Sequence, residues 1–283
     1  MAEGVTLAGE NALTLMEPLT KLAVQAGAAI LAVNRSTMGL DRKIDGSVVS
    51  DADTLADSII AEGLAKLAPD IPVLSEERTH LAARPYRDSF FLIDPLDGTR
   101  EFVTGTNEFT VNIALVTRGE PVLGIVVAPA LGIVWRGLVG FGAERLLATK
   151  DATVYGTPQP IRTRPHPGPS APWIVAVSRS HGDPHTEAFI AARPGAIRQV
   201  LGSSIKFCRV AEGGADIYPR LSPTSEWDVA AGHAIVTAAG GLVTDGHGQP
   251  LRFGEKREGF LIPNFIAWGD PQTARDTARA AGQ

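Results

Sequence analysis

Apolar residues recur at helical spacing over residues 17–35, where Leu19, Leu22, Ala23, Ala26, Ile30 and Val33 share one face. A polar stretch, DRKIDGSVVSDAD, follows at 41–53 and reads as a loop. The helical period returns from about Asp53 to Leu67 with Leu55, Ile59, Leu64 and Leu67, and Pro69 ends it. The pattern then turns to short apolar runs, which predict strands at 71–74, 90–94, 109–117 and 121–128. The last two are joined by the turn RGEP at 118–121 and form a hairpin, and further antiparallel strands are expected over 131–149.

Residues 157–172 carry six prolines and read as the boundary between two subdomains. Beyond them, strands at 173–178, 197–201, 217–220 and 241–245 alternate with helices at 184–192, 203–212 and 226–239. The expected organisation is an N-terminal α+β half over 1–157 and a C-terminal α/β half over 158–283 that closes a site between them.

Composition narrows the field. The 283 residues are 44% hydrophobic and 20% charged, as in a globular protein with a large core. A net charge of −5 without runs of like charge argues against nucleic acid as a partner. Cys208 is the only cysteine, so neither an intrachain disulfide nor a thiolate zinc cluster is available. The first 15 residues lack a basic leader and an apolar core, and no apolar run reaches the roughly 20 residues of a membrane span. A cytoplasmic protein is the expectation.

The chemistry concentrates where apolar segments end. Asp94 and Asp97 follow the run 90–93 and are separated by Pro95 and Leu96, with Gly98 and Thr99 next. Two carboxylates so close repel unless a cation lies between them. Hard oxygen donors without nearby His or Cys select Mg²⁺ or Mn²⁺ over zinc. A covalent phospho-aspartate is disfavoured, because Pro95 occupies the position two before Asp97 where a partner carboxylate would stand. Attack by a metal-activated water is the preferred chemistry. Glu76 and Glu77 after the strand at 71–74, Asp53 at a helix start and Asp228 after Trp227 are further strand-end or helix-start acids.

Ser75-Glu76-Glu77, then Asp94-Pro95-Leu96-Asp97-Gly98-Thr99, then Trp227-Asp228-Val229-Ala230-Ala231-Gly232 resemble, in order, the motifs of the inositol monophosphatase superfamily, the lithium-sensitive, magnesium-dependent phosphatases. The further segments EFTVNIALV, SRSH at 178–181, GSSIKFC at 202–208, YPR at 218–220 and WDVAAGH at 227–233 are similar to the bacterial CysQ-type 3′(2′),5′-bisphosphate nucleotidases. The resemblance covers about residues 20–268.

The resemblance implies a layered αβαβα sandwich and removal of the 3′-phosphate from adenosine 3′,5′-bisphosphate (PAP) in sulfur assimilation, with action on its sulfated precursor PAPS in some relatives. It implies two or three Mg²⁺ ions held by Glu76, Asp94, Asp97, Asp228 and the carbonyl of Leu96. Thr99 and Asp53 match the pair that orients and deprotonates the attacking water, and the amides of Gly98 and Thr99 would face the phosphate. Glu77 stands behind Glu76. Ser203, Lys206, Arg220 and His181 match positions that contact the nucleotide, with Ser203 and Lys206 expected on one helical face. Trp227 is expected to pack behind Asp228, and His233 and Cys208 on interior helix faces.

The family's loop resembles D-x-S-P-V-T-x-A-D, whereas this chain reads Asp45-Gly46-Ser47-Val48-Val49-Ser50-Asp51-Ala52-Asp53. Asp51 is an added acid, so Asp51 and Asp53 both stand as candidates, and alignment to the motif end selects Asp53. The tail after 268 has no counterpart. The oligomeric state, monomer or homodimer, stays open, as does peripheral contact with the inner face of a membrane. The rivals are another phosphomonoesterase of the same fold, acting on inositol monophosphate, fructose 1,6-bisphosphate or histidinol phosphate, and a non-catalytic nucleotide sensor.

Overall fold

Helix α1 (Glu10–Ala32) continues the apolar stripe seen from residue 19 back through Ala12 and Leu15, so it begins seven residues before the periodicity at 17–35 suggests. The computed structural model describes residues 7–42, 48–81, 88–166, 168, 171–180, 182–255 and 258–281. The polar loop at 41–53 contains a short antiparallel pair, β1 (Leu40–Arg42) and β2 (Val48–Ser50), which polarity concealed. Helix α2 (Asp51–Leu67) follows.

A seven-stranded sheet comes next. It comprises β3 (Val73–Ser75), β4 (Ser89–Asp97), β5 (Thr110–Thr117), β6 (Glu120–Ala128), β7 (Ile133–Leu138), β8 (Gly142–Ala148) and β9 (Val154–Ile161), paired in sequence order. Only β3 and β4 are parallel. The short helix α3 (Thr99–Val103) interrupts the run between β4 and β5. Strand β9 enters the proline-rich segment read above as a linker. Pro158 and Pro160 are tolerated there because β9 is an edge strand, where a missing N–H breaks no inner ladder.

The second sheet has the order β11-β10-β12-β16-β14, from β10 (Ile174–Ser178), β11 (Ile197–Leu201), β12 (Ile217–Arg220), β14 (Leu242–Thr244) and β16 (Phe265–Trp268). Strand β13 (Thr224–Ser225) pairs with β15 (Leu261–Ile262) apart from it. The helices are α4 (Pro184–Ala191), α5 (Ile205–Ala211), α6 (Glu226–Ala238) and α7 (Pro271–Ala281), the last formed by the tail after 268.

Packing gives five layers. Helices α1 and α2 cover one face of the large sheet, α5 and α6 fill the space between the sheets, and α4 and α7 cover the far face of the second sheet. Three apolar clusters mark the three interfaces. The central one draws on both halves, with Phe90, Val126 and Trp135 from the first packed with Phe207, Ile235 and Phe265 from the second. This is the αβαβα sandwich expected. Among the described residues no helix is long and apolar enough to cross a membrane.

Helix α6 lies so close to β6 that a Cβ built at Gly124 would fall 2.2 Å from the backbone oxygen of Ala231. Backbone cannot yield as a side-chain tip can. Gly124→Ala is therefore expected to destabilise by about 3 kcal/mol, the upper end for overpacking. Gly182, with open space around its Cβ direction, should change stability by no more than about 0.5 kcal/mol when made Ala. Equal melting temperatures for the two variants would refute the close approach.

Candidate active site

The end of β4 explains how Asp94 and Asp97 come to share one site. Side chains alternate along a strand, so residues three apart point to opposite faces. Here the register shifts: Asp94 lies opposite Asn112 and Asp97 opposite Thr110, three residues on one strand against two on the other. The extra residue of this bulge returns both carboxylates to one side. The amide of Leu96 donates to Asp94 Oδ1 at 3.0 Å and closes the turn around Pro95.

Gly98 follows with φ 91°, a left-handed conformation that favours glycine, and caps α3. Thr99 at the helix start donates from Oγ1 to Asp53 Oδ1 at 2.8 Å and lies 3.2 Å from the Leu96 carbonyl. The other oxygen of Asp53 is fixed by Ser50, which donates from N at 2.8 Å and from Oγ at 2.6 Å. Asp51 is exposed and accepts from the Gly39 amide at 2.7 Å, away from Thr99. The two candidates of the loop thus separate geometrically, and Asp53 is the one facing Thr99. Asp45, Gly46 and Ser47 lie outside the described residues.

Glu76 and Glu77 open the 3₁₀ turn Glu76–Leu81 that follows β3, whose Ser75 is paired with Ile93 one residue before Asp94. That turn is anchored by buried Asp57, which accepts from Ser75 Oγ and from Arg78 Nε, both at 2.5 Å. Asp228 sits in the first turn of α6; its Oδ2 accepts from the Thr224 hydroxyl and, at 3.3 Å, from the Ser225 amide. Ser204, just before α5, donates to Asp97 Oδ2 at 2.9 Å and lies 3.1 Å from the backbone oxygen of Asp228. One hydroxyl thus joins Asp97 of the first half to the backbone of Asp228 in the second.

The electrostatics are those of crowded like charges. Burial pushes the Asp94 carboxyl well above the usual carboxylate range, and Glu76, Asp97, Asp228 and Asp53 push it further. Asp97 is raised by burial and by Asp228, while Lys206 and the hydrogen bonds from Ser204 and Asn112 oppose the rise. Among the described residues no three acidic, His or Cys side chains close around one point. Hydroxyls and amides hold the carboxylates along the cavity wall instead. The donors are all hard oxygens, and the cluster is repulsive without positive charge, so the residues present suit Mg²⁺.

Glu76, Asp94, Leu96, Asp97, Gly98, Thr99 and Asp228 line one cavity of about 1150 Å³. Ser203, Lys206 and Arg220 line the same cavity. Lys206 is 3% exposed, and its Nζ donates to the Ser203 carbonyl at 2.5 Å and lies 5.3 Å from the Tyr218 ring centroid. Burial lowers its pKa to about 8, with Asp97 working the other way.

The expected shared helical face of Ser203 and Lys206 is corrected: α5 starts at Ile205, and Ser203 stands before it with φ 44°. Among the described residues the Ser203 hydroxyl, beside the cavity, is buried without a hydrogen-bond partner. Arg220 donates to the Pro223 carbonyl at 3.2 Å, and its Nε is buried without a partner among the described residues. His181 lies outside the described residues. Trp227, 8% exposed, packs at a tilt against Phe260 with ring centroids 5.9 Å apart and forms part of the wall. Cys208 is buried on α5, and the His233 ring packs edge-on against Phe253.

Several residues at or behind the cavity wall had no role assigned from the sequence, although some lie in the segments quoted above. Glu101 on α3 is nearly buried and accepts from Ser180 Oγ at 2.6 Å across the two halves. Glu108 accepts from the Gly202 amide at 2.7 Å and from Arg179 at 2.8 Å. Tyr218, Ser204 and Asn112 also enter only through tertiary placement. The nearest hint was the serine pair in GSSIKFC, where both hydroxyls have the same composition and only one reaches Asp97.

Residues 15–279 match the inositol monophosphatase family, which corrects the expectation that the tail after 268 has no counterpart. The 3′(2′),5′-bisphosphate nucleotidase CysQ of Escherichia coli (strain K12) is 41% identical over 260 residues, covering 89% of this chain and 98% of that protein. The CysQ of Salmonella typhimurium is 43% identical over 254 residues, with the same coverage. Among solved structures, CysQ from Bacteroides thetaiotaomicron superposes with a TM-score of 0.71 at 33% identity, over 90% of this chain and 97% of that one. An inositol monophosphatase from Anabaena superposes with a TM-score of 0.75 at 23% identity, over 96% of this chain and 97% of that one, which speaks to the fold alone.

A buried carboxyl whose folded pKa is raised favours folding most when protonated, and that contribution fades as pH climbs from the unfolded value toward the folded one. As pH rises past the ordinary carboxylate range, Asp94 therefore withdraws stability from the metal-free fold. In metal-free protein, Asp94→Asn is expected to melt no lower than the wild type at pH 7. Added Mg²⁺ should raise the wild-type melting temperature and move that of the variant much less. Thermal scans with chelator and with Mg²⁺ test this, and a strongly destabilised metal-free variant would contradict it.

Proposed function

This chain belongs to the inositol monophosphatase family, and from that premise we propose that it is a Mg²⁺-dependent 3′(2′),5′-bisphosphate nucleotidase converting PAP to AMP and phosphate, with PAPS as a second substrate and a place in sulfur assimilation. One observation carries the reading: the carboxylates of Glu76, Asp94, Asp97 and Asp228 line the same cavity as Lys206 and Arg220. A monophosphate needs only the first set. A bisphosphate needs a further cationic site besides the metals, and Lys206 and Arg220 on the same cavity wall support that reading.

Glu76, Asp94, Asp97, Asp228 and the Leu96 carbonyl would hold two or three Mg²⁺ ions, with Mn²⁺ as a substitute. When bound, Mg²⁺ supplies positive charge that draws in the phosphate and acidifies a water. The protein does the rest. The Thr99 hydroxyl, donating to Asp53, turns its lone pairs outward to receive a water proton as its own proton moves toward Asp53. The water oxygen bonds to phosphorus in line with the P–O3′ bond, which breaks with its electron pair on O3′; that oxygen takes a proton from solvent to give AMP. The amides of Gly98 and Thr99, where α3 begins, face the phosphate being cut. Ser203, Lys206 and Arg220 hold the phosphate that stays, with His181 assigned beside them.

The direct test is phosphate release from PAP, PAPS, inositol 1-phosphate and fructose 1,6-bisphosphate, with and without Mg²⁺. The expected order puts PAP first and removes all turnover with chelator; inositol 1-phosphate first would favour the rival phosphatase. Asp94→Asn should lower kcat at least ~10²-fold, the scale for losing one major electrostatic element.

Selectivity gives a second test. A hydrogen bond to a charged group is worth about 1.5–3 kcal/mol, roughly ten- to a hundredfold in kcat/KM. Lys206→Ala and Arg220→Ala should lose that factor on PAP and much less on 3′-AMP. Since burial holds the Lys206 pKa at about 8, its charge is present below that pH and lost above it. The wild-type ratio of kcat/KM for PAP over 3′-AMP should therefore fall as pH passes 8, and Lys206→Arg should flatten the fall. A ratio unmoved by pH and by both alanine variants would remove Lys206 and Arg220 from the phosphate site.

A further inference from the structure

We propose that Asn112 and Ser204 form a positioning relay that sets the Asp97 carboxylate for cation binding and ties that setting to the closure of the two halves. The inference rests on the reading of Asp97 as a metal ligand and adds to it two residues that no motif assigns.

Four groups meet here. Asn112 Nδ2 donates to Ser204 Oγ at 2.8 Å. Ser204 Oγ donates to Asp97 Oδ2 at 2.9 Å and lies 3.1 Å from the Asp228 backbone oxygen. Asn112 Nδ2 is itself 3.4 Å from Asp97 Oδ2. The carboxylate and the Asp228 carbonyl both only accept, and the shorter separation sets the single Ser204 proton toward Asp97, which leaves the serine lone pairs to receive the amide. Reversing the Asn112 amide would set its carbonyl against the serine oxygen and the carboxylate together. Its Oδ1 has no hydrogen-bond partner among the described residues, so nothing competes for the reversed orientation.

The relay has structural consequences at both ends. Asn112 and Ser204 are 1% and 2% exposed, so both bonds are shielded from bulk solvent. Asn112 lies on β5 directly opposite Asp94, Ser204 stands before α5, and Asp228 is on α6. The hydroxyl thus fixes one oxygen of Asp97 from the first half while touching the backbone that carries Asp228 in the second. Asp97 itself lines the cavity, and the hydroxyl ties its position to the backbone of Asp228. Groups that orient a metal ligand in this manner typically change metal affinity 10- to 100-fold when removed.

The test reads metal binding without turnover. Free Mn²⁺ is titrated by electron paramagnetic resonance into wild type, Ser204→Ala, Asn112→Leu, Asp97→Asn and the double variant Ser204→Ala/Asp97→Asn, each checked for cooperative melting. The expected result is an apparent Kd raised about tenfold by Ser204→Ala and by Asn112→Leu, raised more by Asp97→Asn, and unchanged when Ser204→Ala is added to Asp97→Asn. That last arm separates a relay through Asp97 from a general loosening, which would weaken binding in both backgrounds. Normal affinity in Ser204→Ala and Asn112→Leu with weak binding in Asp97→Asn overturns the relay and leaves the ligand assignment standing. Full additivity in the double variant also overturns it. Wild-type affinity in Asp97→Asn overturns the ligand assignment and the relay with it. Asn112→Leu carries the test if Ser204→Ala does not melt cooperatively.

Discussion

Carboxylates buried against one another are the constraint around which this molecule is arranged. Asp94 is almost fully enclosed and feels the charges of Glu76, Asp97, Asp228 and Asp53. Left to themselves such groups would protonate or separate. The fold prevents separation by anchoring each to a different rigid element: a bulge at the end of β4, a turn pinned by Asp57, and the first turns of α2 and α6. It also blunts the repulsion with hydroxyl donors, from Ser50 and Thr99 to Asp53, from Ser204 to Asp97 and from Thr224 to Asp228. The outcome is a site preorganised for positive charge that it does not itself contain.

The layered architecture follows from the same requirement. Acids contributed by strands and helices far apart in sequence converge only if the two halves share a core. Helices α5 and α6 serve as that core, with β4 to β7 on one side and the second sheet on the other. The close seating of α6 on Gly124 brings Asp228 to the mouth of β4. Around the cavity rim, polar contacts repeat the union: Glu108 with Gly202 and Arg179, and Glu101 with Ser180. A small displacement between the halves would therefore change the metal site and the phosphate site together.

Much of this was legible along the chain, and the exceptions have physical causes. Strands β4, β5 and β6 are continuous apolar runs because both their faces are covered, and α2 and α6 stood out by period and by acids in their first turns. The acids themselves were visible because a charge next to an apolar run contradicts simple burial. What escaped depends on tertiary context. Strand β1 pairs only locally, β9 tolerates its prolines only as an edge, and β16 acquires partners from β12 and β14 far away in sequence. The left-handed turn at Ser203 could not be foreseen, since serine has no preference for it. Asn112 looked like one polar residue within a strand, and its meaning appears only when Ser204 arrives from the other half.

Lys206 shows how such a site distinguishes its ligands. Burial alone would drive an ammonium toward neutrality, and Arg220 adds to that pressure; Asp97, Glu101 and Asp228 pull it back. The lysine is thus kept near the balance point by the same carboxylates that need a cation. Filling the carboxylate site with divalent charge removes part of that support, and a phosphate beside Lys206 restores it. On the proposed assignment, cation and second phosphate would therefore be coupled through one set of charges. A ligand offering only one phosphate at the carboxylates would leave the lysine less well supported than a bisphosphate would. Selectivity for two phosphates would then arise from the electrostatics of the whole cavity and not from a contact at Lys206 alone.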